Sequence, residues 1–137
     1  MRLTRLQQYL LGGAIAGFAL LCGGMGYLHF AIQAGVDEYT EQAQASYPDK
    51  KDGVEALIEF VQSDQHSLQE RNRAVWALGQ LRDPRALPVL EAAYTGKPCD
   101  HSRFLCQHEL AKAIKLCRGG TPNIMRIRLP HSPGNAK

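Results

Sequence analysis

The sequence predicts an all-α protein: a short solenoid of about two helical hairpins preceded by one transmembrane helix. Three observations predict it. Tyr9–Ile32 carries no charged residue, and at about 1.5 Å per residue about 20 such residues cross a bilayer core. Glu70–Tyr94 reads as a helix, a two-residue corner at Asp83-Pro84 and a second, antiparallel helix. Its apolar positions are echoed before and after it at fixed periods, which is how stacked repeats announce themselves.

The chain divides into residues 1–8 as a cytoplasmic N-terminus, 9–32 as the transmembrane helix, 33–52 as a helical linker, 53–118 as the repeat domain and 119–137 as a flexible basic tail. The whole chain has 16 basic and 13 acidic residues, net +3. All the acidic residues lie between Asp37 and Glu109, so the middle is slightly acidic and both ends are basic. That distribution argues against a nucleic-acid-binding domain, which would gather its cations on a folded face.

Arg2 and Arg5 precede the apolar run, and Asp37, Glu38 and Glu41 follow it. The excess of Arg on the N-terminal side places that side in the cytoplasm and the rest outside. The expected location is a bacterial inner membrane, crossed once, with the C-terminal domain in the periplasm. Tyr9, Tyr27 and His29 suit the two interfaces. A cleaved signal peptide is shorter and ends at a small-residue site, for which Ile32-Gln33-Ala34 is a poor substitute. Acylation at Cys22 would want a small residue where Leu21 stands. Gly13-x-x-x-Gly17 and Ala19-x-x-x-Gly23 put small residues on helix faces, which allows close helix contact in a membrane.

Beyond Ile32 the chain turns polar but stays helical in pattern, with Val36, Tyr39, Ala43 and Tyr47 near one stripe. Gly35 is a weak point, and Tyr47-Pro48 is the stop. Asp52 and Glu55 form a D-x-x-E cap for a short amphipathic helix bearing Val54, Leu57, Ile58 and Val61. Ser67 and Glu70 form a second capping box. After it Ala74, Trp76, Ala77, Leu78 and Leu81 recur at helical steps, with Trp76 expected in the core. Arg71, Arg73, Gln80 and Arg82 take the other face.

Asp83 is a suitable N-cap and Pro84 a suitable first residue for the return helix. Ala86, Leu87, Leu90, Ala93 and Tyr94 form its stripe, Tyr94 half exposed. Pro88 should tighten its start, and Gly96 and Pro98 should end it. A last helix is expected from about Ser102 to Arg118, with Leu105, Leu110, Ala113, Ile114 and Cys117 inward. Leu57 and Phe60 align with Leu87 and Leu90 at a period of 30, and Ala77, Leu78 and Leu81 align with Ala113, Ile114 and Cys117 at a period of 36.

These residues carry a resemblance. Ala77-Leu78-Gly79, Asp83-Pro84-Arg85-Ala86-Leu87 and Pro88 resemble a HEAT-like repeat of the bacterial type also found in phycobilin lyases, over about Val54 to Arg118. The resemblance implies a HEAT-like α-solenoid whose surface serves for binding. It implies little about what is bound, because function resides in sites and not in folds.

Candidates for chemistry are few. Cys99, His101, Cys106 and His108 make C-x-H-x4-C-x-H, a spacing that matches no common zinc module, so no metal is expected. His108-Glu109 resembles one of the His-Glu pairs that hold the di-iron site of deoxyhypusine hydroxylase, but Asn72-Arg73 stands at the matching position and the ligand set is missing. There is no C-x-x-C-H haem attachment sequence and no glycine-rich phosphate loop. No cofactor and no catalytic residue is expected.

In an oxidising compartment Cys99 and Cys106 are the disulfide candidates. Cys106 and Cys117 lie eleven residues apart on one helix, about 16 Å of rise, too far to bridge. Pairing of Cys99 with Cys117 would need the loop to cross the helix. Cys117 is expected to be a buried free thiol.

The expected function is a non-catalytic, membrane-anchored interaction or scaffold module, an accessory subunit or assembly factor of an envelope complex. Its partners would be the membrane and protein, as a membrane complex or a homo-oligomer. The alternative is a thiol-redox or metal-handling periplasmic protein using Cys99 and Cys106. The argument for a partner is a shortage of core. About three repeats are usually needed for stability, and two hairpins leave one end open. It could be covered by Val36–Tyr47 folding back, by a second copy or by another protein, and the third fits best with a tethered chain. In the tail, Arg126 and Arg128 alternate with apolar residues and are expected to reinforce the contact.

Overall fold

The structure, a computed structural model, describes residues 4–120. Every regular element is helical, with no strand among the described residues. The elements are α1 (Arg5–Ser46), α2 (Gly53–Gln62), α3 (Leu68–Leu81), a 3-10 turn (Pro84–Ala86), α4 (Leu87–Ala93) and α5 (Gln107–Cys117).

The first helix is one unbroken element of 42 residues that runs from the apolar span through most of the helical linker to Ser46. From Leu6 to Phe30 its large apolar side chains are exposed. It is long and apolar enough to cross a membrane. Only its last third enters the core, where Val36 and Ala43 are buried and Tyr39 is partly buried. Gly35 is not a weak point. A Cβ there would stand 3.3 Å from the Trp76 ring, so the glycine is where the indole rests on the helix. Pro48 disfavours helical backbone at Tyr47, which sits outside the helical region at φ −131° and ψ 69°, and the helix stops.

Asp52 caps α2 by accepting the Glu55 amide at 3.0 Å. The expected reciprocal bond is shifted by one residue: Glu55 accepts the amide of Lys51, at 3.3 Å, and not that of Asp52. The helix buries Ala56, Leu57, Phe60 and Val61. At its far end the His66 ring stacks on Phe60 with centroids 3.6 Å apart, and Tyr47 Oη meets His66 Nε2 at 3.2 Å. These contacts tie the end of α1 to the α2–α3 corner.

The Ser67–Glu70 box is formed at both bonds: Glu70 N–H donates to Ser67 Oγ at 3.3 Å, and Ser67 N–H donates to Glu70 Oε2 at 2.9 Å. Helix α3 buries Ala74, Val75, Ala77, Leu78 and Gly79. Two expectations are corrected here. Leu81 is 39% exposed, and Trp76 is only partly buried. Trp76 falls on the outer face because Val75, one residue back, takes the inward position.

Asp83 caps a 3-10 turn and not an α-helix; it accepts the Arg85 amide at 2.9 Å. The regular helix begins at Leu87, with Pro88 in its first turn where a missing N–H costs nothing. It buries Val89 and Leu90, leaves Leu87 partly covered, and ends at Ala93, ahead of the expected Gly96. Tyr94 is 44% exposed.

The last helix starts at Gln107, not at Ser102. Asp100 holds the intervening residues in a turn: its Oδ1 accepts Ser102 N–H at 3.1 Å, and its carbonyl accepts the amides of Arg103 and Phe104. A side chain that bonds its own backbone two residues on competes with helix formation there.

The helices form two layers. One holds the last third of α1, then α3, then α5; the other holds α2 and α4. The buried cluster runs between them, from Ala43 through Leu57, Leu78 and Leu90 to Leu110 and Cys117. The α2–α3 end of the array is therefore covered by the chain's own Val36–Tyr47 segment, one of the three covers the sequence allowed.

Candidate groove and thiol cluster

On the outer face of the α1–α3–α5 layer lies an open groove of about 1210 Å³. Gly79 and Ala113 meet on its floor, where α3 and α5 touch backbone to backbone. At the α1 end stand Trp76 and Tyr39, edge to face with centroids 6.0 Å apart, and the Arg73 guanidinium lies 5.8 Å over the Tyr39 ring. At the α5 end are His101, His108 and the Glu109–Lys112 ion pair at 2.9 Å. The groove therefore offers an aromatic platform and a mixed-charge rim.

Next to the groove, and sharing His101 with it, is a cluster of sulfur and nitrogen. Cys99 Sγ and Cys106 Sγ are 3.4 Å apart, and the ligand atoms of Cys99, His101 and Cys106 all lie within 4.8 Å of one another. The turn at Asp100 brings this about, since it folds the chain back so that Cys99 reaches the start of α5. The His108 amide, in the first turn of α5, donates to Cys99 Sγ at 3.4 Å. That bond, then the Cys106 thiol, holds the Cys99 pKa below the usual thiol range, as expected of a thiol at a helix N-terminus. The two cysteines expected to form a disulfide are thus brought side by side, with no bond drawn between their sulfurs. Cys117 is buried, donates to the Leu78 carbonyl at 3.5 Å, and has its thiol pKa pushed up by burial.

Two residues that secure the cluster escaped the sequence reading. Asn72 Oδ1 accepts the Cys106 amide at 2.8 Å and so fixes the start of α5 to α3. Gln107, only 4% exposed, accepts the amides of Thr95 and Gly96 and donates to the carbonyls of Ala93 and Leu105. A Gln immediately before a His-Glu pair gives no sequence signal of burial.

The remaining expected site residues lie elsewhere. Gly13, Gly17, Ala19 and Gly23 are exposed on α1, and a Cβ added to any of the three glycines meets nothing within 4 Å. Nothing among the described residues therefore requires those glycines. Arg126 and Arg128 lie outside the described residues. Cys22 is exposed on the apolar part of α1.

Residues 70–95 match the family model described as the PBS lyase HEAT-like repeat. The match spans most of α3, the 3-10 turn and α4, a narrower stretch than the expected Val54–Arg118. Neither the curated proteins nor the solved structures include a significant match to the chain.

Proposed function

We propose that this chain, which carries a HEAT-like repeat, is a non-catalytic, membrane-anchored interaction module. It would serve as an accessory subunit or assembly factor of an envelope complex, with its N-terminus in the cytoplasm and its repeat region in the periplasm. One observation carries the reading: the helix that is apolar enough to cross a membrane is the same unbroken helix that forms one side of the groove. Gly35, where the groove begins, is three residues past Ile32, about 5 Å along the axis. A groove so placed is held close to the membrane surface and suits the membrane-proximal segment of a protein partner, either another membrane protein or a second copy of the chain. The acidic residues Asp37, Glu38 and Glu41 after the apolar run, with Arg5 before it, support the orientation.

The test uses a photoreactive residue at Gln69, which lines the groove, and a control at Gln62, which is exposed on α2. In native membranes the Gln69 probe should give an adduct of discrete mass and the Gln62 probe should not. An adduct of twice the chain's mass identifies a second copy. No adduct at Gln69, or equal adducts at both, removes the support. A second reading, thiol-redox or metal handling, is favoured by the 3.4 Å approach of Cys99 and Cys106.

A further inference from the structure

We infer that Cys99, His101 and Cys106 form a three-ligand site for a borderline or soft transition cation of the zinc(II) class. The inference deepens the second reading and is independent of the docking role, so its failure would leave the groove untouched. The sequence alone argued against a metal, because C-x-H-x4-C lacks the paired spacing of common zinc modules. The structure removes that objection. The Asp100 turn closes the loop, and three ligand atoms from different parts of it converge within 4.8 Å.

The separation of the sulfurs is informative. At 3.4 Å they stand roughly 1.3 Å farther apart than a bonded pair at about 2.05 Å. Two thiolates each about 2.3 Å from a tetrahedral zinc lie about 3.8 Å from one another, so a metal would ask for a shift of only about 0.4 Å. The imidazole, at most 4.8 Å from either sulfur, need close by no more than about 1.2 Å to take its place at about 2.0–2.1 Å from the ion. It is on an exposed turn free to make that move.

The surroundings match a ligand set. A backbone amide, that of His108, already donates to Cys99 Sγ, and hydrogen bonds of this kind orient metal-bound thiolates. Both sides of the loop are anchored, by Asn72 on the Cys106 amide and by Gln107 on Thr95 and Gly96. Two sulfurs and one imidazole select zinc(II) or copper(I) over magnesium or calcium, which want oxygen. Three protein ligands leave a fourth position for water or a partner's donor.

The experiment titrates cobalt(II), a spectroscopic stand-in for zinc(II), into the untagged full-length chain in detergent, reduced and metal-free. We expect one equivalent per chain, a thiolate-to-cobalt band in the near ultraviolet and the intense visible bands of four-coordinate cobalt. Stoichiometric zinc(II) should abolish both. His101→Ala, on an exposed residue whose loss leaves the fold intact, should weaken binding at least about tenfold. Cys99→Ser should do so too, and Cys117→Ser should leave the spectrum unchanged. A reduced chain that gives no thiolate band overturns the proposal, as does a band insensitive to His101→Ala and Cys99→Ser. So does protein isolated without reductant that carries a Cys99–Cys106 bond and, once reduced, takes up no cobalt.

Discussion

Gly79 of α3 lies against Ala113 of α5 so closely that a Cβ on the glycine would stand 2.9 Å from the Ala113 Cα. The atom it would meet is backbone and cannot swing aside. Gly79→Ala should therefore push α3 away from α5 and destabilise the fold by about 1–3 kcal/mol, the usual cost of overpacking. Thermal unfolding followed by circular dichroism measures it. An unchanged or raised melting temperature would mean that the helices do not cross this closely.

Gln107 is the buried polar clamp of the loop before α5, and its Oε1 takes the Thr95 amide at 2.7 Å. Gln107→Leu keeps the volume roughly but leaves two loop amides and two carbonyls without this partner. Unsatisfied groups cost more than the bonds they lose are worth, and about 2–3 kcal/mol is expected. Thr95→Ala removes only the hydroxyl contact at 3.2 Å and should cost less than about 1 kcal/mol. If the two variants unfold alike in urea, Gln107 is not the clamp.

How far the sequence was legible follows from these cases. Ser67-x-x-Glu70, Asp83-Pro84 and the Leu78/Ile114 echo were readable because each is a local rule: a cap, a fixed φ, a helical period. Trp76 was misplaced because period alone does not say which of two adjacent apolar residues, Val75 or Trp76, faces the partner helix. The start of α5 was misjudged because Asp100 diverts the following residues into a turn, a competition between side chain and backbone that composition does not weigh. The approach of Cys99 to Cys106 was legible from their places in the loop and at the start of the helix, but that His101 joins them was not, because it depends on that turn. The covering role of Val36–Tyr47 showed in the stripe of apolar residues, but not in which neighbour that stripe would meet.

Acid should weaken the joint between the two hairpins. Arg85 bridges Asp83 and Asp52, at 2.7 and 2.8 Å. The Glu55 amide first, and then the Arg85 guanidinium, hold the Asp52 carboxyl below its ordinary 3.8. The Arg85 guanidinium and then its amide do the same for Asp83. A carboxyl whose folded pKa is depressed contributes stability above its unfolded pKa and loses it as pH falls through the folded one. The melting temperature should therefore decline on acidification below about pH 4, where carboxylates begin to protonate. Arg85→Met should make that decline shallower. The groups are partly exposed and screened by water, so a double-mutant cycle should find only weak coupling between Arg85 and Asp52. An acid decline as steep in Arg85→Met as in the parent would place the pH sensitivity elsewhere.

The last third of α1 is a working repeat helix, and that is testable by where the chain is cut. Val36 and Ala43 are buried, Gly35 and Tyr39 pack on Trp76, and Tyr47 packs on Phe60 and His66. No residue from Leu6 to Phe30 is buried. A fragment from Gln33 to the C-terminus should therefore lose only the exposed apolar stretch and should melt cooperatively in detergent-free buffer. A fragment from Pro48 uncovers the α1 side of α2 and α3, including Phe60 and Trp76, and leaves a core near the lower size limit for independent folding. It should lose the cooperative transition or aggregate. If the Pro48 fragment instead melts like the Gln33 fragment, α1 only tethers the domain. The membrane span and the groove would then be two separate parts, and the argument for a groove held rigidly at the membrane surface would fail with them.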